Sequence, residues 1–176
     1  MQPIIDGPEI KSCQALLCGM METEAGRTFE FDVGWIRKSA WKVVPVEDTC
    51  HFAPVEITTI VSALQSTGYA ECFAIASESV DPAPACFRLS VSEEAFREFN
   101  SECGALRYVV TDANRSWAIS CNEWYNLFAC KPDLLESLLG EPIDQARQEF
   151  LEFASLMAKG NADEPFMRIA ERYAAF

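Results

Sequence analysis

One histidine and eight cysteines hold most of the nucleophile and base chemistry open to this chain. His51 follows Cys50 in the stretch EDTCHFAP. Cysteine catalysis requires a thiolate beside a base, and sequence neighbours rarely aim their side chains at each other, so a catalytic pair needs His51 to meet a distant thiol such as Cys121. Eight thiols make an accidental meeting easy, and the plainer reading of His51 is a loop histidine ahead of a helix. No two cysteines form a C-x-x-C pair, and one histidine without HExxH or DxD spacing leaves carboxylates alone to bind a metal, so no metal site is expected. None of the eight glycines falls in a G-x-G-x-x-G or G-x-x-x-x-G-K pattern, so neither a phosphate cradle nor a cofactor is indicated. Paired carboxylates stay open as a hydrolase or transferase chemistry, because 27 acidic residues allow many pairs and the separation that matters is spatial.

Two further groups are candidates for binding rather than catalysis. In CNEWYN, Asn122 and Glu123 permit a turn, and Trp124 and Tyr125 then point to opposite faces of an extended segment, so one of them is expected outside the core. Glu123, Trp124 and Tyr125 are therefore candidate partner contacts, since aromatic residues are favoured anchors at interfaces; an aromatic flanking a hairpin can equally cover a sheet edge. Ile119 and Cys121 share the other face, which reads Cys121 as structural. Glu94, Glu98 and Glu102 recur every four residues on a helix whose opposite side is apolar. Like charges at that spacing cost a few tenths of a kcal/mol per pair, so the ridge is either a docking face for a basic partner or a plain solvated face.

Charge narrows the partner class. The balance of 14 Lys and Arg against 27 Asp and Glu gives −13 and a pI near 4.4, which repels phosphate backbones. Arg37, Lys38 and Lys42 are the one dense basic group and are too few to reverse it. The start MQPIIDGPEIKSCQALLCGM lacks a cationic leader and a long apolar run, and no stretch approaches a membrane span. A cytoplasmic chain with no nucleic-acid or membrane partner is expected, its scattered cysteines reduced and mostly buried.

These residues must be positioned by elements that the hydrophobic period reveals. Ile10, Cys13, Leu16, Leu17 and Met20 mark an opening helix with Pro8 in its first turn; Phe29, Phe31, Val33 and the residues around RKSA read as two or three strands. In PVEITTIVSALQSTG, Ile57, Ile60, Val61 and Leu64 mark a helix face despite the β-branched content, with Gly68 at its end. YAECFAIAS is a buried strand and DPAPAC a loop held by Pro82 and Pro84. Ser90 with Glu93 predicts a capping box for a helix burying Val91, Ala95, Phe96, Phe99 and Cys103, with Gly104 at its end. ALRYVVT, WAISCN and WYNLFAC follow as a strand meander, with Asp112 and Asn114 in the first turn and Lys131 and Pro132 leading into the helix PDLLESLLG. Two closing helices carry the stripes Ile143, Ala146, Phe150, Phe153, Ala154, Met157 and Phe166, Ile169, Ala170, Tyr173.

The sum is a single α+β domain over 1–176, with a mostly antiparallel sheet, helices on at least one face and a helical C-terminal segment. In size and charge the chain is similar to toxin-neutralising immunity proteins and secretion chaperones, a likeness that covers no motif. The expected function is that of a small acidic protein-binding module with a protein partner, a basic one being favoured by charge. The rivals are a small enzyme with a Cys/His or paired-carboxylate site and an apolar small-ligand binder lined by some of the 12 Phe. Oligomeric state is left open.

Overall fold

The centre of the molecule is the meander formed by β5 (Tyr108–Thr111), β6 (Trp117–Cys121) and β7 (Tyr125–Cys130). A computed structural model describes residues 1–23, 29–47, 52–78, 84–104, 106–122, 124–159 and 165–176; Cys50, His51, Pro82 and Glu123 lie outside them. Around the meander stand β1 (Gln2–Pro3), β2 (Lys42–Glu47), β3 (Glu71–Ala76) and β4 (Cys86–Ser90). The helices are α1 (Gly7–Ala15), α2 (Val33–Ser39), α3 (Pro54–Ser66), α4 (Glu93–Cys103), α5 (Pro132–Leu139), α6 (Ile143–Ala158) and α7 (Pro165–Tyr173). The strands form one sheet in the order β1-β4-β3-β5-β6-β7-β2, and every pairing is antiparallel. The α+β architecture read from the sequence is the one observed.

Every residue of β5, β6 and β7 is buried, which a sheet wet on one side does not allow. Alternation explains it. Tyr108, Val110, Ile119, Cys121 and Phe128 enter one core, against Ile57, Ile60 and Leu64 of α3, Phe96 and Phe99 of α4, and Leu135 and Leu138 of α5. Val109, Ala118, Leu127 and Ala129 enter a second core with Phe31, Ile36 of α2, Phe150 and Ala154 of α6, and Ile169 and Tyr173 of α7. A smaller cluster seats α1 on β3 and β4 through Cys13, Ile75 and Cys86. Helices thus cover both faces, the sandwich that a fully buried strand run requires.

Local chemistry sets the boundaries. The Asp112 carboxylate accepts from Asn114 N (3.1 Å), Ser116 N (2.6 Å) and Ser116 Oγ (3.1 Å), closing the β5–β6 turn as the DANRS sequence implies. Pro54 opens α3, and Ala53 N donates to Glu56 Oε2 at 2.6 Å. Beyond its end Gly68 takes φ +88, where a Cβ would be strained.

Several expectations need correction. Val33–Ser39 is a helix, not a strand: Asp32 Oδ1 accepts from Trp35 N at 2.7 Å, fixing an N-cap, and Arg37 and Lys38 stand in the last turn, where cations suit the helix dipole. Of the proposed alternation only Phe31 pairs, as an isolated bridge with Met21. Cys86–Ser90 forms strand β4 with Cys86, Phe87 and Leu89 buried, and Ser92 rather than Ser90 caps α4, its Oγ accepting from Ala95 N at 3.3 Å. Helix α1 ends at Ala15, so Leu16, Leu17 and Met20 belong to the turns after it. Met157 is exposed, so the α6 stripe stops at Ala154 and resumes only at Ala158.

The two outer strands share a residue type. β1 carries Pro3 and β2 carries Pro45. Arg147 Nη2 on α6 donates to Val43 O at 3.1 Å, so Val43, and Pro45 two residues on, turn their backbone groups to the outer edge of the sheet.

Candidate functional site

The β6–β7 connection resolves the question of which aromatic leaves the core. Trp124 is 56% exposed, whereas Tyr125 is 7% exposed. The Tyr125 ring meets Phe150 and Phe166 edge-on, with centroids 6.0 and 6.1 Å away, and burial pushes its phenol well above the ordinary value. Four rings, Tyr125, Phe150, Phe153 and Phe166, thus brace the strand end that presents Trp124. Tyr125 acts as that brace and not as surface. Glu123 lies outside the described residues.

Beside this turn stands a group of carboxylates that local patterning could not assemble. Glu47, the last residue of β2, pairs in register with Tyr125. It lines a cleft of about 180 Å³ together with Glu141, Glu149, Val46, Ala146 and Phe150. Burial, reinforced by the charge of Glu149, raises the Glu141 carboxyl above its ordinary value. The walls are apolar and the polar groups are all acceptors when ionised, an arrangement suited to the stem and head of a lysine or arginine. Among the described residues no three or more His, Cys, Asp and Glu side chains are grouped so as to hold a metal ion.

The acidic ridge on α4 is exposed at Glu94, Glu98 and Glu102, with Phe96 and Phe99 buried beneath it. Part of it is already engaged. Glu98 pairs with the Met1 amino group, and Glu93 pairs with Arg97 at 2.6 Å while accepting from Thr58 Oγ1 at 3.1 Å. Among the described residues no hydrogen bond, ion pair or ring contact joins the ridge to Trp124.

The thiols are placed away from solvent. Of the seven described cysteines, none disulfide-bonded, Cys18 alone is exposed. Burial pushes the thiol of Cys130 up to about 12 and that of Cys103 to about 11, far from the depressed values of nucleophilic cysteines. Cys121 is fully buried, its Sγ 3.9 Å from Ile119 O. His51 and Cys50 lie outside the described residues, and so does the test of a Cys/His pair.

Sequence reasoning missed Glu47, Glu141 and Glu149, which are distant in the chain and meet only through the β2–β7 register and the packing of α6. It also missed the exposed Leu151 and Leu156. A helical wheel offered a signal there, since both stand off the buried stripe of α6. No helix among the described residues is long and apolar enough to cross a membrane. Compared with family models, curated proteins and solved structures, the chain matches none.

Proposed function

We propose that the chain is a protein-binding module of the partner-neutralising or chaperone type, recognising a basic protein. The observations that carry the reading are an exposed tryptophan immediately before β7 and, at the same end of the sheet, a carboxylate-lined cleft at the Glu47–Tyr125 pairing. Exposed Trp is an efficient anchor because it buries a large area with few rotatable bonds. The cleft at the same end of the sheet supplies charge for a partner Lys or Arg, and the net −13 of the chain steers a basic partner from a distance. In this reading Glu94, Glu98 and Glu102 add long-range field rather than direct contact.

The experiment is affinity capture on the immobilised chain from its native cell, at low and at high salt, followed by titration of the purified partner. Capture of a basic protein that salt releases, with Trp124→Ala weakening its binding by more than about 1 kcal/mol in a chain that melts normally, is the expected result. Affinity indifferent both to salt and to Trp124→Ala would overturn the reading.

A further inference from the structure

The C-terminal half of α6 departs from the amphipathic pattern of its first half. Six large apolar side chains are exposed among the described residues. Three of them stand on this helix: Leu151 at 39%, Leu156 at 76% and Met157 at 46%. Leu151 joins two hollows. One, of about 360 Å³, is walled by Pro45, Phe150, Leu151, Tyr173 and Ala174. The other, more open and about 460 Å³, shares Gln148 and Leu151 with the first and continues along α6 to Leu156.

The rim of this groove is acidic. Exposed Asp144 and Glu171 line the first hollow and exposed Glu152 the second. Arg147 is the one cation lining either, and its guanidinium is turned onto the backbone, donating to the carbonyls of Val43, Tyr173 and Phe176. A ligand in these two hollows therefore meets an apolar floor and a carboxylate edge without a competing free cation.

We infer that this groove seats a basic amphipathic helix of the partner protein, its apolar side chains filling the hollows at Leu151 and Leu156 and its Lys or Arg side chains reaching Asp144, Glu152 and Glu171. The inference rests on the binding function proposed above and names a second contact along α6, which shares Phe150 with the wall of the Glu149 cleft. The stretch from Asp144 to Leu156 rises about 18 Å at 1.5 Å per residue, which about three turns of a docked helix match. A second copy of the chain is a poor occupant. Each copy carries −13, and pairing two grooves would face carboxylate rim against carboxylate rim.

The test uses the full chain and a labelled synthetic peptide of about 14 residues, roughly four helical turns, with Leu at i, i+3, i+4 and i+7 and Lys elsewhere. A scramble of identical composition controls for charge alone. Fluorescence anisotropy is expected to show the ordered peptide binding at least about tenfold more tightly than the scramble, a difference of about 1.4 kcal/mol. The Leu151→Ser, Leu156→Ser double variant, altered only at exposed positions and checked by its melting curve, is expected to remove that difference. Equal affinity for the two peptides, or an unchanged difference in the double variant, overturns the inference. So does a dimer in sedimentation that the double variant dissolves, because a second copy then fills the groove. Capture of the cell partner that survives the double variant but is lost in Trp124→Ala sinks the groove and leaves the binding function standing. Capture indifferent to salt and to both changes sinks both.

Discussion

Removing the Phe96 ring is the sharpest probe of the packing that holds α4 on the sheet. The side chain is fully buried, and its ring lies 5.6 Å from that of Phe52, which in turn lies 6.4 Å from Phe99. Phe96→Ala forfeits about 1.5 to 3 kcal/mol of apolar transfer and about 0.5 to 1.5 kcal/mol of ring-to-ring contact. Neighbours pinned between helix and sheet collapse only partly into the space, so a cavity contribution remains and the total is expected at about 3 to 5 kcal/mol. For a domain of this size a loss of about 4 kcal/mol lowers the melting temperature by about 8 to 16 °C. Urea unfolding followed by tryptophan fluorescence measures the change as a shift in midpoint at unchanged slope. Glu94→Gln, on the exposed side of the same helix, serves as control and is expected to stay within about 0.5 kcal/mol of the parent. A loss below about 1 kcal/mol for Phe96→Ala would show that the buried face of α4 has been misplaced.

Tyr173→Phe should cost about 1 to 3 kcal/mol, because the hydroxyl accepts from Phe31 N at 2.9 Å and its loss strands a buried donor; a change under a few tenths in urea unfolding would contradict that geometry. Alkaline stability carries a definite sign: burial holds Cys86 and Cys130 at about 12 against the ordinary 9.0, so the unfolded chain releases protons first. The contribution of these two thiols is therefore level below about pH 8 and declines from about pH 9 towards pH 12, and a flat denaturation midpoint from pH 9 upwards would refute the burial of both thiols. In a Cys18→Ser, Cys50→Ser chain, native protein should show almost no fast-reacting thiol at neutral pH, while the denatured chain titrates all six that remain. Cys121→Ala should lower stability modestly and leave partner affinity intact; loss of function in a folded chain would make the hairpin a reactive site.

Much of the fold was legible where one face of an element carries a clean period. Ile57, Ile60, Val61 and Leu64 imposed a helix on β-branched residues, and Asp112 with Asn114 announced the β5–β6 turn. Short elements hid because their evidence is not periodic. Helix α2 spans only Val33–Ser39, and what defines it is a single capping bond from Asp32, while the three-residue alternation ahead of it imitates a strand. Strand β4 was masked by the prolines before it, and its pairing with β3 is a long-range fact. The candidate surface was harder still. Trp124 was identified as one of two alternatives, since extended geometry exposes one of two adjacent aromatics but does not say which. Choosing Trp124 required the ring cluster around Tyr125. Glu47, Glu141 and Glu149 become neighbours only when the β2–β7 register is closed and α6 is laid across it.

The prolines of the two outer strands bear on how this molecule can meet others. A sheet grows by adding a strand to an edge that offers alternating donors and acceptors. On one side the outermost strand is two residues long and one of them is Pro3; on the other, Pro45 has no donor to give and Arg147 has taken the carbonyl of Val43. Both prolines interrupt the run of donors along the sheet's outer strands, which lowers the tendency of copies to add strand to strand at high concentration. The same interruption shapes how a partner is read. A partner of the kind proposed would then find little backbone to pair with at these two prolines and would be read mainly by its side chains.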